Sequence, residues 1–157
     1  MDPADLPDEV LAGLDVVVAS AHSKLSMPER PMTERLVRAA ANPHVDILGH
    51  CTGRMLVGRG RPQSTFDAEL VFAACAQFGT AVEVNCRPER QDPPDELLDL
   101  ALEWGCFVSV DSDAHAPGQL EWVAHGYARL GERGVDPDRI LTTWGVDALL
   151  EWCGTAN

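Results

Sequence analysis

An α/β fold built from parallel strand–helix units is predicted by two observations. Short apolar runs and amphipathic segments alternate with a period of about 30 residues, the spacing of units joined by crossover helices. Histidine or an aspartate–histidine pair then follows three of the apolar runs. Val16-Val17-Val18-Ala19 leads to His22, Val45-Asp46-Ile47-Leu48 to His50, and Cys106-Phe107-Val108-Ser109-Val110 to Asp113-Ala114-His115. In parallel sheets, side chains beyond the C-terminal strand ends share one face, and that face carries the chemistry.

Each element has its own signal. Asp2-Pro3-Ala4-Asp5-Leu6-Pro7-Asp8-Glu9 reads as a helix start, with Pro7 near the first turn and acids at the positive end of the dipole. The first strand is expected over Asp15 to Ala19. A helix from Thr33, as N-cap, to Ala41 is stopped by Asn42-Pro43. The second strand, Val45 to Gly49, leads into a Gly/Arg-rich loop ending at Pro62. Ser64 or Thr65 caps a helix with Leu70, Val71, Ala74 and Phe78 at helical spacing, and Gly79 ends it. Ala81 to Val84 forms the third strand. Pro93-Pro94-Asp95-Glu96 opens a helix carrying Leu97, Leu98, Leu100, Ala101 and Trp104, stopped by Gly105. Phe107 to Val110 forms the fourth strand. Helices over Gln119 to Arg133 and Val146 to Trp152 close the chain, separated by the turn Asp136-Pro137-Asp138-Arg139. No linker, repeat or low-complexity tract divides the 157 residues, which read as one domain.

Composition excludes several classes. No apolar run approaches the roughly 20 residues of a membrane span, and the acidic, proline-bearing start is unlike a signal peptide. The five cysteines (51, 75, 86, 106 and 153) lack metal-site spacing and read as reduced thiols, which points to the cytoplasm. A net charge of −13 argues against strong duplex DNA binding by this chain alone. Against that background, Arg54, Arg59 and Arg61, and then Arg87 and Arg90, cluster in two loops, where they read either as solvated loop charges or as groups aimed at a small anion.

The candidate metal ligands are His22, His50, Asp113 and His115. Neutral imidazole with carboxylate suits zinc, manganese or iron and leaves positions for water. Asp111 alternates onto the face of Asp113 and is a second candidate carboxylate. His44 precedes its strand and His125 lies in a helix, so neither is expected to bind metal. Glu83 and Asn85 share a strand face: Glu83 reads as a buried structural carboxylate, and Asn85 as a rim group for water or phosphate. Arg54 is the arginine selected for phosphate, because its planar fork matches two phosphate oxygens.

These stretches together resemble the later motifs of the polymerase-and-histidinol-phosphatase (PHP) domain. The carriers are Val18-Ala19-Ser20-Ala21-His22-Ser23, Leu48-Gly49-His50-Cys51-Thr52-Gly53-Arg54, Glu83-Val84-Asn85 with Arg87-Pro88-Glu89-Arg90, and Asp113-Ala114-His115. The version attached to bacterial family X DNA polymerases is the most similar, and Thr142-Thr143-Trp144 with Leu149-Leu150-Glu151-Trp152 fits that subgroup's ending. The resemblance implies that the parallel βα units form the C-terminal part of a distorted (β/α)7 TIM-like barrel holding up to three divalent ions. It implies hydrolysis of phosphoric esters, of phosphatase or 3′–5′ exonuclease type, acting on a small phosphorylated substrate or a nucleic-acid 3′ end. Asp113 and His115 would then be catalytic, His22, His50, Asp113 and His115 would be metal ligands, and Arg54, Asn85 and Arg87 would hold the substrate.

The family's opening His-x-His motif has no counterpart before His22, so a partial domain with fewer metals is expected. Self-association, or pairing with a segment that supplies the missing strands, follows from that reading. The inner strand faces at Val16, Val18, Ile47 and Val82, or their alternating neighbours, would then be uncovered. Two rival readings are a non-catalytic half-barrel completed by another chain and an amidohydrolase-type metal hydrolase. The arginine-bearing loops and the trailing histidine of Asp113-Ala114-His115 favour phosphate over the latter.

Overall fold

The computed structural model describes residues 6–155. The expected N-terminal helix start falls partly outside them, at Asp2 to Asp5. Inside them a single helical turn, α1 (Asp8–Leu11), follows Pro7. Strands β1 (Val18–Ala19), β2 (Ile47–Leu48), β3 (Ala81–Asn85) and β4 (Val108–Asp111) form one parallel sheet in the order β1-β2-β3-β4. Helices α2 (Glu29–Ala40), α3 (Ala68–Phe78) and α4 (Asp95–Glu103) link successive strands, and α5 (Val123–Glu132) and α6 (Val146–Thr155) follow β4. The parallel βα reading therefore holds.

Element boundaries depart from expectation for local reasons. β1 and β2 are shorter than predicted because Asp46 intrudes at their start. Its Oδ2 accepts from Val17 N at 2.7 Å, while Asp46 N and Ile47 N both donate to Val17 O. α2 begins at Glu29, ahead of Thr33. Pro31 fits as its third residue because amides in the first turn have no helical acceptor. Thr33 instead donates to Glu29 O and accepts from Asp67 N, tying α2 to the start of α3. Asp67 is the cap of α3, accepting from Leu70 N at 3.0 Å, in place of Ser64 or Thr65. Gly79 closes that helix at φ 73°, as its position predicted. The segment before α5 is a 3-10 helix over Pro117–Trp122.

The helix-side face of the sheet buries the larger core. Met32 and Leu36 of α2 meet Leu48, Val82, and Val71 and Phe72 of α3. A second cluster joins Val84, Val108 and Val110 to Leu98 of α4 and Leu130 of α5. α5 comes close to the sheet at Gly126, where an added Cβ would lie 2.4 Å from Cys86 Sγ and 2.6 Å from Val110 Cγ1.

The opposite face corrects the expectation of broad exposure. Ile47 and Ala81 pack with Leu141, Phe107, Trp144, Leu149 and Trp152. The C-terminal segment thus folds back over the lower half of this face. Ile47 is 5% exposed and Val82, in register with Leu48, turns to the helix side instead; of the four expected positions only Val18 is open, at 41%. The β4 edge is closed too: Ile140 bridges Val108 in parallel, and Thr142 Oγ1 accepts from Val110 N. All five cysteines are free and buried. Among the described residues, no helix is long and apolar enough to cross a membrane.

Candidate active site

Period-2 alternation places Glu83, Asn85, Ser109 and Asp111 on the upper half of the face that α6 covers below, with Glu83 beside Ser109 and Asn85 beside Asp111. This polar floor lies beneath the C-terminal strand ends. Glu83 is 5% exposed and Asn85 and Ser109 are fully buried. Burial pushes the Asp111 carboxyl up to about 6, with Glu83 adding repulsion against the hydrogen bond from Ser109.

Above the floor, the loops after β1 and β2 bring His22 and His50 together. Their Nε2 atoms lie 2.9 Å apart and the rings stack at 5.0 Å. His50 Nδ1 lies 3.1 Å from Glu83 Oε2, a carboxylate that can only accept. This assigns the proton to Nδ1 and leaves Nε2 of His50 as a lone-pair donor. The same carboxylate accepts from His50 N, and its other oxygen accepts from Asn85 Nδ2 at 3.2 Å. Gly49 permits this approach: a Cβ there would lie 2.9 Å from Val18 Cγ1 and 3.4 Å from Glu83 Oε2. The His22 imidazole is shifted below its ordinary range, chiefly by burial, with positive charges that include His50 and Arg90 adding to it and Asp113 opposing.

The loops after β3 and β4 build a different group. Asp113 Oδ2 accepts from Arg90 Nε at 3.1 Å, and Arg87 Nη1 stands 3.9 Å from it. His115 Nδ1 is 2.8 Å from Asp113 O and 3.2 Å from Arg87 Nη1. The carbonyl can only accept and the guanidinium can only donate; the shorter contact is the one to the carbonyl, which places the proton on Nδ1 and leaves Nε2 with its lone pair. His50 (φ 26°) and Asp113 (φ 51°) both adopt left-handed backbone, as do Lys24 and Gln91, all four in loops at this end of the sheet. Such strain, of about 1–3 kcal/mol each, clusters at functional sites.

The two groups are latched together. Asp92, fully buried, accepts from Thr52 N at 3.1 Å and Thr52 Oγ1 at 2.7 Å. Arg54 Nε donates to Arg90 O at 2.8 Å, and Arg54 Nη2 donates to Gln91 O.

All four expected ligands therefore lie at one end of the sheet, but in two groups. Among the described residues no three His, Cys, Asp or Glu side chains converge on one point. Two substrate-binding expectations need correction. Arg54 turns its fork onto backbone carbonyls, and Asn85 is sealed inside, its Oδ1 accepting from Arg87 N. Arg87 does reach the site. Glu83 is buried and hydrogen-bonded as read, with the added role of orienting His50. Arg90, read only as a member of the Arg87/Arg90 loop cluster, also reaches the site. Its signal was its place three residues after Arg87 in the turn Arg87-Pro88-Glu89-Arg90, which turns both guanidinium groups toward Asp113. Beside His22 a cleft of about 680 Å³ is lined by Lys24, Leu25, Ser26, Arg61, Pro62, Gln63 and Thr65.

The His22–His50 pair offers two donors to a divalent ion. Two imidazole nitrogens 2.9 Å apart match neighbouring ligands at bonds of about 2.0–2.1 Å, and the carboxylate behind His50 is the usual outer support of a metal-bound histidine.

Comparison with known proteins finds relatives by sequence. Over 111 residues, 71% of this chain, it is 40% identical to the DNA polymerase/3′-5′ exonuclease PolX of Bacillus subtilis, covering 19% of that protein. It is 31% identical over 148 residues to a probable phosphatase of Vibrio parahaemolyticus, and 28% identical over 148 residues to one of Thermoanaerobacter. Each of these matches takes in 88% of this chain and 56% and 57% of the respective phosphatases. The chain thus spans about half the length of those phosphatases and a fifth of the polymerase. No family model matches it. Its sequence relatives are proteins named as phosphatases and as a polymerase with exonuclease activity, and its sheet is parallel α/β.

Proposed function

We propose that this chain carries part of a PHP-type, metal-dependent phosphoesterase site. The observation that carries the reading is the Glu83–His50–His22 chain of contacts, which brings two ring nitrogens within 2.9 Å of each other at the same end of the sheet as Asp113 and His115. Zinc, manganese or iron would be held by His22 and His50, with Asp113 and His115 as further ligands. When bound, such an ion polarises a phosphoryl oxygen and lowers the pKa of water.

The protein's own groups have separate tasks. Glu83 fixes the His50 tautomer and ring orientation. Arg87 and Arg90 set a positive edge beside Asp113. The cleft lined by Lys24 and Arg61 gives room for the ester's leaving group, a small phosphorylated molecule or a nucleic-acid 3′ end. The open β1 edge at Val18 supports a further reading: strands from another segment, or another copy, complete the wall around this site.

Metal analysis of the purified chain, run beside hydrolysis of p-nitrophenyl phosphate and of a single-stranded oligonucleotide, tests the reading. Retained metal that is lost in both His22→Ala and His50→Ala is expected. Equal metal content in wild type and both variants would overturn it.

A further inference from the structure

Arg90 spends little of its hydrogen-bonding capacity on the protein. A guanidinium has five N–H donors. In Arg90 only Nε is engaged, with Asp113 Oδ2. Nη1 is buried without any partner, one of only two such side-chain atoms among the described residues. Nη2 has no hydrogen-bond or ion-pair partner among the described residues. Few buried donors in folded proteins are left in this state, and a ligand is one of the standard explanations. The group is also held firmly: its side chain is 16% exposed, Asp113 fixes its inner edge, and Arg54 clamps the backbone at Arg90 and Gln91 through two donors. Its position is central. Arg90 touches Asp113 in one group, and its backbone is tied through Arg54 to the loop that carries His50 in the other.

Resting on the phosphoesterase reading of the same site, we propose that Arg90, oriented by Arg54, is the anchor for a tetrahedral oxyanion of the phosphate class. Its unspent Nη edge would take two oxygens of a phosphoryl group whose other oxygens face the His22–His50 pair. Arg54 is then a positioning residue and does not touch the substrate. Its two bonds to the Arg90–Gln91 backbone set the direction of the Arg90 side chain, much as an outer carboxylate sets a metal-bound histidine. Arg87, already paired with Glu89 at 3.2 Å, takes a lesser part. Arg59, exposed and without protein partners, takes none.

Inorganic phosphate, titrated into the metal-free chain and followed by NMR at the arginine Nε–H signals, tests this. Wild type is expected to shift the Arg90 signal, Arg90→Gln to weaken phosphate binding at least tenfold, and Arg59→Gln to leave it unchanged. Arg54→Gln should weaken binding and move the Arg90 signal before phosphate is added, with Arg54→Lys restoring part of both. Arg90→Lys keeps a charge on Asp113 while losing the fork, so it decides the matter if Arg90→Gln fails to fold. It should bind phosphate several-fold less tightly than wild type. Wild-type affinity in folded Arg90→Gln or Arg90→Lys, or no phosphate binding by wild type at millimolar concentration, would overturn the proposal. An unchanged Arg90 signal in Arg54→Gln would overturn the positioning role. A parallel zinc titration separates the two readings. Phosphate binding that depends on Arg90 without zinc binding at His22 and His50 removes the metal reading alone, and the converse removes the Arg90 anchor alone.

Discussion

The rim after β1 and β2 and the rim after β3 and β4 are built from opposite materials. On the first, two imidazoles face each other and a buried carboxylate stands behind one of them. On the second, a carboxylate is covered by two guanidinium groups and the histidine turns its free nitrogen outward. Lone pairs gathered on one side suit a cation; N–H donors gathered on the other suit an anion. A phosphoester bound to a divalent ion needs both within a few ångströms. The difference between the rims reads as a division of labour, and the Thr52–Asp92 and Arg54–Arg90 contacts hold the two parts in register.

The comparison can be broken most severely at the imidazole pair. His50→Ala should abolish detectable zinc or manganese binding by calorimetry, whereas His125→Ala, in α5, should not change it. Glu83→Gln keeps an acceptor beside His50 but loses the charge, and metal affinity should fall about 10- to 100-fold. Retention of full affinity would show that the carboxylate is only structural. Asp92→Ala strands the buried Thr52 donors between the rims, and chemical denaturation should show a loss of about 1–3 kcal/mol. Gly126→Ala, in α5 on the helix side of the sheet, should destabilise by about 1–3 kcal/mol through its clash with Cys86 and Val110, yet leave metal affinity intact.

The smallest expected effect concerns pH and the far end of the sheet. Burial raises the Asp46 carboxyl above its ordinary value, against the hydrogen bonds from Val17 and Cys153 and the charge of His44. The folded state therefore holds this proton more tightly than the unfolded chain. Stability from this group is greatest below the ordinary aspartate range and is lost as pH rises through the raised value. Asp46→Asn should flatten that fall in denaturation curves taken from about pH 4 upward. An unchanged slope would show that Asp46 is not its source.

Much of this was open to sequence reasoning, because strand ends are marked locally. Apolar runs followed by His22, His50 or Asp113 needed only periodicity and the rule that chemistry sits past the strand. Gly79 ended its helix where a left-handed residue was required. What stayed hidden depends on contacts distant in sequence. Arg54 looked free four residues after His50, but its acceptors are carbonyls 36 and 37 residues further on. Asn85 shares the site face yet lies beneath it, since alternation gives the side and not the depth. The inner face was expected bare because counting strands cannot show that Trp144 and Trp152 fold back over Ile47 and Ala81. Asp46 shortened two strands through a side-chain bond to Val17 that no propensity encodes.

The division of labour is tested most directly by following the histidine ring nitrogens by NMR while zinc is added. Expected is a joint shift of His22 and His50 at Nε2, complete near one equivalent, with His44 and His125 unmoved. Zinc that shifts no ring signal, or that shifts His44 and His125 as strongly as the pair, would contradict it.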